Sequence, residues 1–422
     1  MATRRAFIKA SGLSIFGASI MGNIPDYVFQ AAVSQTANSP FQKQNTLVCI
    51  FQRGAMDGLM AVSPFNDPFL KQARPSLFIK PGTSGTGLID LDGTFGLHPA
   101  LKGFQGLFGQ GRLAIVQGIG SPNATRSHFD AQDYMETGTP FRKGTDSGWL
   151  NRSLSNRKKT HVDTPFSAVS LTSALPRSLY GKEPAIAISN LQDFAIQLKG
   201  NPGAAQAASE RLEDLYDQTA QGLLQHTGKD SFEAMSLLQK TDLKGYKPEA
   251  GVRYPNSALG NSLKQIAQLI KMEVGLEIGF AESNGWDTHF NQGTVAGVFA
   301  RNLLDFNDSI CAFWEDLGAF QDQVTVMSMT EFGRTVKQNG TGGTDHGRAS
   351  CNFILGHNVV GGRVYGTVSP LAPENLEDGR DLKVTTDYRA VFAEVAGRQL
   401  GIDNISNIFP DWEGQYLGLM KR

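Results

Sequence analysis

Short runs of apolar residues, each bounded by polar and glycine-containing segments, predict the buried strands of a sheet. The runs are rich in β-branched and aliphatic side chains, and they are too short for buried helices. Residues 294–320 have apolar positions at helical spacing and lie between two of the runs. A strand–helix–strand order needs a parallel crossover, so we predict an α/β fold with a mostly parallel sheet and helices on both faces. The predicted strands are residues 45–52, 112–120, 274–281, 323–330 and 351–356.

The middle of the chain has a helical pattern instead. Residues 203–246 place apolar side chains at steps of three and four, which predicts two amphipathic helices, and residues 261–272 predict another. We therefore predict a mostly helical insertion at about residues 150–270, continuous with the main domain. A late helix is predicted over residues 385–401, with Gly401 as its stop.

The N-terminus predicts an export signal. Arg4 and Arg5 precede a weakly apolar run with Gly and Ser, an order that resembles a twin-arginine signal with Ile8 where leucine is usual. The run is too short and too rich in small residues for a good membrane span. The alternative is a basic start followed by an amphipathic helix. We expect residues 1–37 to be a signal peptide that the twin-arginine export machinery recognises and that is then removed. Residues 38–422 would form a single periplasmic or secreted domain.

Composition excludes several classes of function. The chain has 422 residues, 40% of them hydrophobic, with a formal net charge of −1. Such a balance, without a basic stripe, does not favour nucleic acid as a partner. The three cysteines, Cys49, Cys311 and Cys351, are far apart and form no CxxC pair. We therefore expect neither a disulfide scaffold nor a thiolate metal site, and we predict no particular oligomeric state.

Unusual polar residues follow the strong predicted strands. The carboxyl ends of parallel strands meet at one edge of a sheet, where ligand sites of open α/β folds lie. Carboxylates and imidazoles gathered there would suit Zn, Mn or Fe, and an oxygen-rich subset would suit Mg or Ca. Each residue also has a plain alternative: Asp57 as a turn residue, Ser127 as a helix N-cap, and Asp345 and His346 as solvated loop residues. The candidates are Asp57, Thr125, Arg126, Ser127, His128, Asp287, His289, Glu331, Arg334, Asp345 and His346.

Several long segments carry a family resemblance over most of the chain that would remain after export. They are "FQRGAMDGL", "SPNATRSHFDAQDYMETG", "GWLNR", "LPRSLYG", "TEFGRTVKQNGTGGTDHG" and "GRDLKVTTDYRAVFAEV". On these segments the chain resembles the bacterial exported family called domain of unknown function 1501. That family is similar to the alkaline phosphatase and sulfatase superfamily. The resemblance implies an alkaline-phosphatase-like three-layer sandwich with metal ligands at strand ends.

The same resemblance implies roles for individual residues. Asp57 matches the aspartate after the first strand, a metal ligand in the superfamily. Asp287 and His289 look like its Asp-x-x-x-His metal pair, with a spacing of two here instead of four. Glu331 stands where Asp-His-Gly is usual, and His346 resembles the late histidine ligand. The position of the superfamily nucleophile falls at His128, an unusual residue for that role; the nearest hydroxyls belong to Thr125 and Ser127.

Together these features lead to two hypotheses. The first is an exported hydrolase-like protein that uses divalent metal (Zn, Mn, Mg or Ca) to act on a phosphate or sulfate ester. Ser127 or Thr125 would attack from a helix N-terminus, and Arg126 or Arg334 would hold the remaining ester oxygens. No cysteine fits the Cys-x-Pro/Ala-x-Arg pattern of a formylglycine sulfatase, so we do not expect that class. The alternative is a non-catalytic protein that uses the same fold to bind a ligand, a polymer or another protein.

Overall fold

A large, mostly parallel sheet organises the protein. The computed structural model describes residues 44–82, 85–158, 164–191 and 245–421. Within these residues the central sheet has nine strands: β1 (Thr46–Gln52), β5 (Leu113–Gly120), β6 (Ala168–Ser170), β7 (Ile186–Ala187), β8 (Ile278–Ser283), β9 (Val324–Met329), β12 (Ser350–Gly356), β13 (Arg363–Tyr365) and β14 (Thr386–Asp387). Their order across the sheet is β13-β5-β12-β9-β1-β8-β6-β7, with β14 beside β5. Only β12 runs antiparallel to its neighbours in this described part of the sheet.

Two small sheets lie beside the central one. The first has the order β2-β4-β3, with β2 (Val62–Ser63), β3 (Ile89–Asp90) and β4 (Gly96–Leu97). The second is an antiparallel hairpin of β10 (Arg334–Gln338) and β11 (Thr344–His346). Its register places Arg334 directly opposite His346, so these two side chains are neighbours in the site described below.

Helices cover both faces of the central sheet, which confirms the predicted fold class. Strand β1 shows why: all its residues are buried, and its alternate side chains enter two separate cores. A strand covered on both faces needs apolar residues at every position, which gives a continuous apolar run. The helices are α1 (Gly58–Ala61), α2 (Pro68–Ala73), α3 (Lys102–Gly109), α4 (His128–Thr137), α5 (Trp149–Asn156), α6 (Ala258–Lys271), α7 (Val298–Leu317) and α8 (Tyr388–Leu400).

The two layers of helices use different parts of the chain. Helices α3, α6 and α7 pack on one face, where Phe104, Leu263 and Phe306 join Val48 and Ile50 of β1. Helices α5 and α8 pack on the other face. There Trp149 of α5 stacks on Phe392 of α8 with ring centroids 5.0 Å apart. Helix α8 ends at Gly401, whose φ of 66° is the left-handed conformation that glycine adopts without steric cost.

The predicted helical insertion needs correction in one part. Residues 164–191 contribute β6 and β7, which extend the central sheet beyond β8. These strands have only three and two residues, too few to produce a recognisable period. The helix predicted at 261–272 is α6. The helices predicted at 203–246, and the export signal at 1–37, lie outside the described residues.

The described helices include no membrane span. Among residues 44–82, 85–158, 164–191 and 245–421, no helix combines the length and the hydrophobicity needed to cross a bilayer.

Candidate metal centre

The loops after β1, β5, β8 and β9 meet at one edge of the central sheet. β1 pairs in parallel with β8 and β9, and β5 points the same way as β9 because both are antiparallel to β12. Gly54, in the loop after β1, has a φ of 113°, and a Cβ there would lie 2.6 Å from the Asp287 backbone nitrogen. The missing side chain therefore allows two of these loops to touch.

Three histidine side chains converge at this edge. The Nε2 atom of His346 lies 3.0 Å from Nε2 of His128 and 3.0 Å from Nε2 of His289. His128 is the first residue of α4, His289 follows β8, and His346 ends β11. Residues far apart in sequence thus direct the same ring atom to one point.

The opposite ring nitrogen of each histidine has its own oxygen acceptor. The Nδ1 atom of His128 lies 2.8 Å from Glu331 Oε1, and that of His289 lies 3.1 Å from Asp345 Oδ1. The Nδ1 atom of His346 lies 2.9 Å from the backbone oxygen of Arg126. If each Nδ1 donates its proton to that oxygen, each neutral Nε2 carries a lone pair. Three lone pairs that face one another repel, and a cation bound between them would remove that repulsion.

Asp287 completes the group. Its Oδ1 atom lies 3.0 Å from His289 Nε2 and 3.1 Å from His346 Nε2, and its Oδ2 atom lies 3.5 Å from His128 Nε2. Ligand atoms of His128, Asp287 and His346 all lie within 4.8 Å of one another. An outward-facing carboxylate beside three imidazole nitrogens is a donor set that suits a divalent transition metal.

Arg334 sets the charge of Asp287. The Arg334 guanidinium is buried, and its Nη1 donates to Asp287 Oδ1 at 2.9 Å. Burial by itself raises the pKa of Asp287, but the positive charge of Arg334 and its hydrogen bond to the carboxylate lower that pKa overall. Asp287 is therefore a carboxylate near neutral pH. Arg334 holds this carboxylate through Nη1, while its buried Nε and Nη2 have no hydrogen-bond partner in the described part of the chain.

Glu331 lies below the histidines. Its side chain is fully buried, and one atom, Oε1, accepts from His128 Nδ1, from Gln132 Nε2 at 2.9 Å and from the Gly54 backbone N–H at 2.9 Å. Burial alone raises the pKa of Glu331, yet these donors lower it, His128 first. Glu331 is thus an ionised acceptor that orients His128, and its carboxylate oxygen is already saturated by hydrogen bonds.

The sequence analysis did not identify Gln132 as a site residue, although its spacing from His128 could have indicated it. Gln132 follows His128 by four residues on α4, a spacing that puts both side chains on one face of a helix. Both reach the same Glu331 oxygen. Gln132 also accepts from Arg53 Nη1 at 3.0 Å, so it links the site to the loop after β1.

Asp57 does not join the converging group. Its two carboxylate oxygens accept from Arg74 at 2.7 and 3.1 Å, and Gln292 Nε2 donates to Oδ2 at 2.7 Å. Both Asp57 and Arg74 are buried. A bidentate ion pair of this kind uses the oxygens that a metal would need. The structure therefore gives Asp57 a structural partner where the family resemblance implied a metal ligand.

Asp345 contacts the group from outside. It is exposed, and its Oδ1 atom accepts from Asn339 Nδ2 at 3.0 Å as well as contacting His289. The hydrogen bond from Asn339 is the main reason that the pKa of Asp345 is lowered. Asp345 thus orients His289 as Glu331 orients His128.

The predicted catalytic residues lie on the segment that leads into α4. Ser127 is exposed at the N-cap position, and its side chain makes no capping hydrogen bond. Its backbone N–H donates to Thr125 Oγ1 at 3.2 Å. The Arg126 guanidinium pairs with Asp381 and Asp378. Arg126 is therefore held by carboxylates, and its contribution to the metal centre is the backbone oxygen that orients His346.

A family model described as "Protein of unknown function (DUF1501)" matches residues 113–409. That range includes the three histidines, Asp287, Glu331 and Arg334. No curated protein matches the chain.

Solved structures give distant similarities. The crystal structure of the PsFucS1 sulfatase from Pseudoalteromonas sp. has 11% identity and a TM-score of 0.40, and the match covers 95% of this chain and 78% of that one. The C-terminal periplasmic domain of EcEptC from Escherichia coli, in complex with Zn, has 8% identity and a TM-score of 0.36, with coverage of 76% and 74%. Ps i-CgsB, in complex with k-i-k-neocarrahexaose, has 10% identity and a TM-score of 0.38, with coverage of 89% and 76%.

Proposed function

This chain belongs to the DUF1501 family of proteins of unknown function, and we propose that it is an exported, metal-dependent hydrolase of phosphate or sulfate esters. The ligands we propose are Nε2 of His128, His289 and His346 together with the carboxylate of Asp287. Three imidazoles and one carboxylate suit Zn, Mn or Fe better than Mg or Ca, which prefer oxygen ligands throughout.

The observation that carries the proposal is the orientation of the three histidines. Each has an oxygen acceptor at Nδ1 and directs Nε2 to the common point. Hydrogen bonds of this type fix the tautomer and orientation of metal-binding histidines. A divalent ion at the common point would accept all three Nε2 lone pairs at once.

The chain's own residues would prepare the ester for attack. A divalent ion held by these ligands would polarise an ester oxygen as a Lewis acid. Arg334 keeps Asp287 ionised, and Glu331 and Asp345 keep two imidazole lone pairs directed at the ion. The N-terminus of α4 adds backbone N–H groups that favour a bound anion.

Ser127 is the nucleophile that we propose. Its exposed hydroxyl immediately precedes the ligand His128. Attack by its oxygen forms an O–P or O–S bond while the bond to the leaving oxygen breaks, and the hydroxyl proton passes to the leaving alcohol. Water then hydrolyses the seryl ester, which restores the hydroxyl and releases the phosphate or sulfate product.

Two variants separate the parts of this mechanism. Asp287→Ala is expected to lower metal content and ester turnover together, because one charged ligand is lost. Ser127→Ala is expected to retain the metal and lose turnover; if Thr125 attacks instead, Thr125→Ala gives that result. Asp322→Ala is a matched control, because Asp322 is an exposed carboxylate that pairs with His357 before β9, at the opposite edge of the sheet.

The assay is hydrolysis of aryl phosphate mono- and diesters and aryl sulfates by protein loaded with Zn, Mn, Fe, Mg or Ca. Turnover that survives in Asp287→Ala with full metal content would contradict the proposed ligand set. Turnover that survives in both hydroxyl variants would contradict a seryl or threonyl intermediate.

One observation favours a second candidate, a metal-containing binding protein without catalysis. The sequence suggested that Arg126 or Arg334 holds the ester oxygens, but both guanidiniums are paired with carboxylates in the described structure. A metal-loaded protein that binds singly charged esters and turns over none of the panel would support this candidate.

A further inference from the structure

Charge at the metal centre restricts the substrates that it would accept, if the proposed function holds. Asp287, Asp345 and Glu331 contribute three negative charges, which one arginine, Arg334, and a divalent ion together offset. The nearby Arg126 and Arg380 pair with Asp378 and Asp381, so these four charges cancel. Within the described residues the centre therefore has no excess positive charge for a doubly charged anion, and a singly charged ester fits it better.

Two exposed phenylalanines each directly follow one of the proposed ligands in the sequence. Phe129 directly follows the ligand His128 and is 89% exposed; Phe290 directly follows the ligand His289 and is 70% exposed. His128 and His289 approach His346 Nε2 from separate segments, each at 3.0 Å. Aromatic side chains beside a few convergent polar groups are typical of ligand-binding sites.

The backbone around Phe290 keeps that side chain outside the core. The preceding backbone oxygen, of His289, accepts from Asn339 Nδ2 at 2.9 Å and from Thr341 Oγ1 at 2.8 Å. The following residue, Asn291, has a φ of 43° and donates its N–H to the Thr341 oxygen at 3.0 Å. Gly343 permits this close packing, because a Cβ there would lie 2.3 Å from the His289 oxygen. The loop thus fixes Phe290 on both sides.

Phe129 is equally constrained. It is the second residue of α4, and the residues before it and one turn after it, His128 and Gln132, both contact Glu331. Because those contacts fix the helix orientation, Phe129 cannot turn inward without removing His128 from the metal centre.

We propose that Phe129 and Phe290 form an apolar subsite for the organic group of a singly charged ester, either a phosphate diester or a sulfate monoester. The proposal deepens the proposed function and depends on the same metal centre. The two phenylalanine side chains would contact the aryl or alkyl group of the ester. The charged phosphate or sulfate group of the ester would lie against the metal ligands.

The turnover test uses two phosphate diesters that differ only in the group retained on phosphorus: phenyl 4-nitrophenyl phosphate and methyl 4-nitrophenyl phosphate. Both are singly charged and release 4-nitrophenol. The intact metal-loaded chain is expected to prefer the phenyl ester in kcat/KM. Phe129→Ala and Phe290→Ala are each expected to reduce that preference by roughly three- to tenfold, the scale of one aromatic contact.

A binding test needs no turnover. Titration calorimetry on the metal-loaded chain would compare monomethyl phenylphosphonate with monomethyl methylphosphonate, and benzenesulfonate with methanesulfonate. The first pair reports on phosphate diesters and the second on sulfate esters. Phe141→Ala is the control, because Phe141 is 68% exposed yet lies beyond the far end of α4, a helix about 15 Å long.

The outcomes separate the subsite from the proposed function. Loss of the aromatic preference in both variants, with metal content and the Phe141 control unchanged, supports the subsite. Turnover without any aromatic preference overturns the subsite and leaves the hydrolase proposal in place. Aromatic-selective binding without turnover keeps the subsite and contradicts the hydrolase. Equal binding of all four probes overturns the subsite, whatever the turnover.

Discussion

Glu331→Gln is expected to weaken metal binding although Glu331 is not proposed as a ligand. The change is nearly isosteric, and the amide oxygen can still accept from His128, Gln132 and Gly54. The new amide N–H₂ would face the Thr330 hydroxyl, which lies 3.3 Å from Oε2. The variant therefore loses the negative charge that makes His128 a stronger ligand while it keeps the shape of the site.

The size of the effect follows from burial. Glu331 is fully buried, so water does not screen its interaction with His128. Loss of such an orienting partner typically weakens metal affinity by about 10- to 100-fold, or about 1.4–2.7 kcal/mol. Asp345 has the same role toward His289, but it is 55% exposed. Asp345→Asn is therefore expected to cost less than about tenfold, because solvent screens an exposed charge.

Competition with a zinc-binding dye would measure both affinities on the intact chain. The dissociation constant is expected to be lowest for the wild type, higher for Asp345→Asn and highest for Glu331→Gln. An unchanged affinity in Glu331→Gln, or a larger loss in Asp345→Asn, would refute the claim that these carboxylates act by orienting metal-bound histidines.

Two further predictions concern export and stability. Replacing Arg4 and Arg5 by lysine is expected to leave the precursor uncleaved in the cytoplasm, because the twin-arginine receptor reads the guanidinium pair; cell fractionation checks this, and normal export would reject it. Asp316→Asn is expected to lower the free energy of unfolding near neutral pH by about 1.5–3 kcal/mol, because the buried Asp316 carboxylate accepts from Lys271 at 2.7 Å and from the Tyr246 hydroxyl at 2.6 Å. Burial opposes these donors, but together with Tyr254 they lower the pKa of Asp316, so its stabilisation is present above the ordinary aspartate pKa and is lost as pH falls through the lowered value. Urea unfolding should then show a gap between wild type and variant that narrows in acid, and a constant gap would contradict this assignment.

Much of the fold was predictable because its strands are buried on both faces. Strand β1, predicted at 45–52, extends over Thr46–Gln52, and every one of its residues is buried. Strands β6 and β7 were missed for the opposite reason: at three and two residues they are too short to show a period. Their place in the sheet comes from the pairing of β6 with β8 and of β7 with β6, and the first of these is a long-range contact that local sequence does not encode.

The candidate site was predictable as a location but not as a set of contacts. The rule that strand ends meet at one edge anticipated that His289 and His346 would be neighbours. It could not distinguish the role of Glu331 from the role of Asp57. A carboxylate can orient a histidine or pair with an arginine without any difference in its local sequence. The partner of Asp57 is Arg74, which follows it by 17 residues in a different element.

Metal analysis of the intact protein tests the central claim most directly. It should be combined with X-ray absorption at the edge of the bound element and applied to His346→Ala and to the control His357→Ala, whose imidazole pairs with Asp322 at the opposite edge. The account predicts tightly bound transition metal in wild type and in the control, with an imidazole-rich first coordination shell, and a large loss in His346→Ala. Wild-type protein that stays metal-free after incubation with Zn, Mn and Fe, or metal that persists in His346→Ala, would contradict it.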